Sequence, residues 1–270
     1  MISSQMDARH PVFCLFLVLC LLAISAGCTS APVPQSTTAT FTPTPHEGEN
    51  TGRTITAAPK ENITEQLASV QSENPVWREA YRMFKNIKST GYVHPPYTSD
   101  DATGVYKFDC LGFADHVLMG ADMASYKEIG KNVNPSIESY SAYFSRLDAK
   151  TPNSAGWTKV TRPIDLNPGD ICLWLKPSTL DTGHMWIIAG VPEVNPKRTD
   201  EVIVRIFDST GTVHSDDSRT GSAYKTGLGS GILGFMVDGN GNPTGLYWEG
   251  GLSTGAGEKD TTIVCGRLNR

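Results

Sequence analysis

The spacing of the apolar residues changes partway along this chain, and that change restricts the fold more than any other feature. Up to about residue 147 apolar positions recur at helical spacing; from residue 169 onward they fall in short β-branched or aromatic runs bounded by Gly, Pro, Asn or Asp. In the first part, Asn74-Pro75 opens a segment with Trp77, Ala80, Tyr81, Phe84 and Ile87 on one face. Its proline stands in the first helical turn, where a missing N–H costs nothing. Asn134-Pro135 repeats that start signal ahead of Ile137, Tyr140, Phe144 and Leu147. Between them, FDCLGFADHVLMG (108–120) places Leu111, Ala114, Val117 and Leu118 on one helical face, with Gly120 as the expected stop. In the second part, GDICLWLK (169–176), HMWIIAGV (184–191), EVIVRIFD (201–208), GILGFMVD (231–238), TGLYW (244–248) and TIVCGRL (262–268) read as strands. Asp238-Gly239-Asn240-Gly241 is a turn between two of them. Helices first and strands later predict an α+β domain, N-terminal helices packed on an antiparallel sheet.

The chain has 270 residues, and its first sixty stand apart from this pattern. Arg9 is followed by the apolar run PVFCLFLVLCLLAISAG (11–27), short for a membrane-spanning helix and ending in small residues directly before Cys28. That arrangement resembles the lipobox of lipoproteins, in which cleavage leaves the cysteine lipid-modified at a new N-terminus. Ser25 stands where the motif usually has Leu, and an uncleaved anchor or a plain secretory signal are the alternatives. Each of these predicts export, with the rest of the chain on the outer face of the membrane. Residues 29–62 are rich in Thr and Pro and poor in large apolar groups, so they read as an extended tether. The expected division is therefore a signal or anchor over 1–28, a tether over 29–62 and one domain over 63–270. Net charge is −5 with no basic run, which argues against nucleic acid as a partner. Cys14, Cys20 and Cys28 belong to the signal, leaving Cys110, Cys172 and Cys265 in the domain. The odd count leaves at least one free thiol, and Cys172 and Cys265 are either a disulfide or two buried thiols.

Cys110 falls at the start of a predicted helix. A helix N-terminus supplies partial positive charge and unpaired N–H groups that favour a thiolate. An adjacent imidazole completes a nucleophile, and His184 in TGHMWIIAG, preceded by Gly and followed by an apolar strand, is the candidate base. Asp208, ending VIVRIFD, is the candidate acceptor for the other imidazole N–H. His214 competes as a residue lining the substrate cleft, while His94 reads as part of a nearby loop and His116 as a packing or surface residue. Ligand spacings such as CxxC or HxxxH are absent, so no metal site is expected.

These residues resemble the NlpC-like cysteine peptidases of the papain-like superfamily, over roughly Tyr92 to Asp208. The matching blocks are FDCLGF around Cys110, LNPGDICLW (166–174) and TGHMWIIAG (182–190). Leu111 stands where that family usually has Ser, and Asp208 where its third polar residue is more often His. The resemblance implies a papain-like fold and a Cys110–His184–Asp208 triad that hydrolyses amide bonds in cell-envelope peptides without a cofactor. It also implies an oxyanion and substrate side formed by Tyr92, with Tyr106 as the second choice, together with Asp109 and His214. A non-catalytic envelope-binding module and an acyl or amide transferase on the same triad are the alternatives.

Overall fold

The computed structural model describes residues 62–70, 72–131, 134–176, 183–252, 257–259 and 261–270. The expectations about the signal, Cys28 and nearly all of the tether lie outside the described residues. No helix among the described residues is long and apolar enough to cross a membrane.

Helices come first. Asn62 caps α1 (Ile63–Val70), its side chain accepting from the Thr64 N–H. Asn74 does the same for α2 (Pro75–Asn86), which buries Val76, Trp77, Ala80 and Met83. A small sheet of three short strands follows, β1 (Ser89–Gly91), β2 (Thr98–Asp100) and β3 (Val105–Lys107), with β3 in the middle. Next come α3 (Cys110–Ala121), α4 (Met123–Gly130) and α5 (Ile137–Ser145). The helix expected to stop at Gly120 runs to Ala121, because Asp122 is what separates α3 from α4. Its side chain caps the new helix through the N–H groups of Ala124 and Ser125.

The remaining strands are β4 (Trp157–Val160), β5 (Ile171–Leu175), β6 (Gly183–Ile188), β7 (Glu193–Val194), β8 (Glu201–Thr210), β9 (Gly227–Val237), β10 (Pro243–Tyr247), β11 (Glu258–Lys259) and β12 (Thr262–Leu268). They form one antiparallel sheet in the order β11-β10-β9-β8-β6-β5-β12-β4, with β7 on β8. The domain is therefore α+β, as its two-part spacing predicts.

Both faces of the sheet are buried, and the strands alternate between two cores. Ile171, Leu173, Met185, Ile187 and Phe207 join the helices in one cluster, with Phe113, Val117 and Leu118 of α3. Cys172, Trp174, Trp186, Ile188, Val204 and Ile206 face a second cluster on the far side. That second cluster also holds Leu246 of β10 and Cys265 of β12, so the sheet curls round it. The Pro168-Gly169-Asp170 turn that feeds β5 is held structurally. Gly169 has φ +98°, and Asp170, wholly buried, accepts from Arg267 Nε and Nη2 at 2.9 and 2.8 Å.

Cys172 and Cys265 lie directly opposite each other on β5 and β12 and form a disulfide across 93 residues of sequence. Replacing both with Ala lowers the unfolding free energy by about 2–4 kcal/mol, as expected for a bridge closing a loop of this order. Urea denaturation of the variant measures this, and an unchanged midpoint would show that the bridge does not constrain the chain.

Candidate active site

Three segments meet at one end of the sheet. The first is the start of α3, capped by Asp109, whose Oδ1 accepts from the Gly112 N–H at 2.9 Å and from the Tyr97 hydroxyl at 2.8 Å. Cys110 is thus the first helical residue, and it is the free cysteine among the described residues. Only glycine fits at 112, since a Cβ there would lie 2.7 Å from the Tyr97 ring. Ser209 of β8 donates to the Phe108 carbonyl at 2.6 Å and so fastens the approach to Cys110 onto the sheet.

The second segment is the start of β6. Gly183 has φ +140°, and a Cβ there would fall 2.0 Å from the Trp174 carbonyl oxygen, so glycine is needed for β6 to begin beside β5. His184 follows, paired across the strands with Trp174 and 6 % exposed. The third is β8. The β6–β8 ladder pairs Ile187 with Phe207 and Ile188 with Ile206; past it, the two strands present His184 and Asp208 to each other. His184 Nε2 donates to Asp208 Oδ2 at 2.8 Å. That fixes the tautomer and leaves Nδ1 for the Cys110 sulfur.

The electrostatics follow from this placement. Burial alone pushes the His184 imidazolium down, but the Cys110 sulfur and the Asp208 carboxylate, acting through charge and hydrogen bonding, raise it to about 10. Asp208 is wholly buried, which opposes its charge; Arg219, His214 and His184 overcome this and hold it well below the usual carboxylate range. Arg219 Nη2 lies 3.0 Å from Asp208 Oδ1 and 2.6 Å from Asp217 Oδ2.

Cys110, His184 and Asp208 therefore come together. Tyr92 lies on the wall of a cleft of about 370 Å³ that is also lined by Trp174, Lys176, His184, Thr212 and Trp248. Three expectations for the substrate side are corrected. Tyr106 is buried in the core, its hydroxyl donating to Asp101 Oδ1 at 2.8 Å, because β3 turns that side chain inward. Asp109 is the helix cap, its Oδ1 taken by Gly112 and Tyr97 and its Oδ2 3.1 Å from His94 Nδ1. His214 does not line the cleft; it sits behind Asp208, its Nε2 2.8 Å from Oδ2. His116 Nδ1 lies 3.3 Å from Ser99 Oγ. Sequence reading missed Arg219, Asp217 and Trp248. The Trp248 ring covers both imidazoles, its centroid 5.0 Å from His184 and 4.2 Å from His214. A terminal Trp in TGLYW was the available signal for it.

His184, Asp208 and His214 also bring donor atoms within 4.8 Å of one another, the spacing a cation would require. Both Nε2 atoms are already directed at Asp208 Oδ2, and the Arg219 guanidinium opposes a second positive charge there, so the geometry favours hydrogen bonding over a cation. A larger cavity of about 1000 Å³ along α2 has neither cysteine nor histidine among its described lining residues. Comparison of the chain with protein-family models, with curated proteins and with solved structures gives no match.

His184 lies above its ordinary value of 6.5, so its contribution to stability is full below that pH and is lost as pH rises through about 10. NMR titration of the ring gives a midpoint near 10, and Asp208→Asn moves it down toward 6.5. A wild-type midpoint at the ordinary value would contradict the arrangement.

Proposed function

We propose that this chain is an exported cysteine hydrolase of papain-like, NlpC-like fold that cleaves amide bonds in cell-envelope peptides. The observation that carries the reading is the His184 ring, held between the Cys110 thiol at a helix start and the Asp208 carboxylate on a neighbouring strand. The order of these groups along the chain and the antiparallel sheet behind α3 support the papain-like assignment.

In this mechanism the Cys110 sulfur, its proton resting on His184, attacks the carbonyl carbon; the C–S bond forms as the carbonyl electron pair moves onto oxygen. The Cys110 backbone N–H, among the helix donors without an intrahelical partner, and Tyr92 hold that oxyanion. His184 then passes its proton to the amine as the C–N bond breaks, leaving a thioester. Water, giving a proton to His184, attacks the thioester and releases the acid, and the sulfur leaves as the thiolate of the restored pair. Asp208 keeps Nε2–H engaged throughout, so that Nδ1 faces the sulfur. The chemistry needs no cofactor.

Export rests on the leader through residue 27 and lipid attachment at Cys28, with residues 29–62 giving the domain reach from the outer face of the membrane. The Cys172–Cys265 disulfide suits an oxidising compartment. A substrate in the envelope follows from that placement.

Envelope peptides incubated with the protein should yield new amino termini detectable by mass spectrometry. Cys110→Ser lowers the rate by about a thousandfold or more, and His184→Ala does much the same, the double variant being little worse because the pair acts as a unit. The rate follows a bell-shaped pH curve, rising with ion-pair formation and falling as His184 loses its proton. Turnover undiminished in Cys110→Ser would sink the proposal, and amide products formed with an added amine would redefine the acceptor.

A further inference from the structure

A second imidazole shares the carboxylate that orients the first. The His214 side chain, on the segment that follows β8, is fully buried, and its Nε2 lies 2.8 Å from Asp208 Oδ2, the oxygen that also accepts from His184 Nε2 at 2.8 Å. Its Nδ1 lies 2.8 Å from the Trp248 carbonyl oxygen, and its backbone N–H donates to Asp217 Oδ2 at 2.8 Å. A carboxylate and a carbonyl only accept, so each of these ring contacts calls for an N–H donor from His214.

The charged and titratable groups facing His214 are Asp208 from β8, His184 from β6, and Asp217 and Arg219 from its own segment. From β9 comes backbone alone: Gly231 stands where a Cβ would lie 2.7 Å from the His214 Cβ and 2.9 Å from Asp217 Oδ2. Two carboxylates thus face the Arg219 guanidinium and imidazole N–H groups, so the buried charges find partners close by.

We infer that His214 is a positioning residue for the Cys110–His184 pair, acting through Asp208. Asp208 Oδ1 is held by Arg219, and Oδ2 by two imidazole N–H groups from different elements, so the carboxylate cannot rotate without breaking one of these bonds. Without the His214 donor, Oδ2 loses its fixed place and the His184 ring loses its orientation. The inference rests on the functional reading above.

Amide side chains separate the two contacts of His214. The Gln amide nitrogen stands near the place of Nε2 and keeps the donor to Asp208; the Asn nitrogen stands near Nδ1 and keeps the donor to Trp248. The measurement is the rate of Cys110 alkylation by iodoacetamide in the full-length chain, followed on the Cys110 peptide by mass spectrometry from acidic to alkaline pH. His214→Gln reacts within about threefold of wild type. His214→Asn slows by about ten- to a hundredfold, the loss of one hydrogen bond to a charged group, and its alkaline limb moves to lower pH. Both variants equal to wild type, or Gln slow with Asn normal, overturns the inference, the latter result assigning His214 to the Trp248 contact alone. Where His214→Asn does not fold, the wild type decides: two downfield, exchange-protected imidazole Nε2–H resonances support the inference, and a single one overturns it. Wild-type Cys110 reacting no differently from Cys110 in His184→Ala would overturn the ion-pair reading as well, an outcome distinct from failure at His214 alone.

Discussion

An ionised carboxylate deep in a protein has to replace its water with fixed donors, and Asp208 does so with three N–H groups drawn from three different places. Desolvating a charge of this kind costs several kcal/mol unless every lone pair finds a partner. The local structure answers that demand. β8 runs on past its ladder with β6 to deliver Asp208, the segment after it folds back to bring His214 and Arg219, and Asp217 balances the guanidinium.

Close approach is the companion requirement. Gly183 lets β6 begin against the Trp174 carbonyl, Gly112 lets α3 start beside Tyr97, and Gly231 leaves room for His214. A methyl group at any of the three would push apart elements whose polar atoms now meet at hydrogen-bonding distance. The Trp248 ring over both imidazoles keeps the surroundings poor in water, which strengthens each of these contacts. Shape and charge are thus set by the same few positions.

Much of this was legible before any coordinates. The six long strand runs and the helices bearing Trp77, Cys110 and Tyr140 carry strong apolar spacing and clear boundary residues, and Cys110, His184 and Asp208 sit at element ends where polar groups stand out. The short strands STG, TSD and VYK have too few residues for alternation to register, and α1 and α4 are only eight residues each. The segment STGTVHSDDSR (209–219) hid the most consequential part, because a run of polar and charged residues looks solvated until its partners are known. Asp217 and Arg219 are buried there only because the Arg219 guanidinium satisfies both Asp217 and Asp208. Tyr106 misled for the opposite reason: an aromatic residue near the nucleophile in sequence was turned into the core by a three-residue strand.

The sheet ends on the shortest strands of its path, β11 with two residues and β4 with four. An open sheet edge is a template on which another chain can add a strand, and its hazard grows with the number of unpaired N–H and C=O groups in line. Here each border offers only a few. Such short borders make a poor template for the sheet of a second copy.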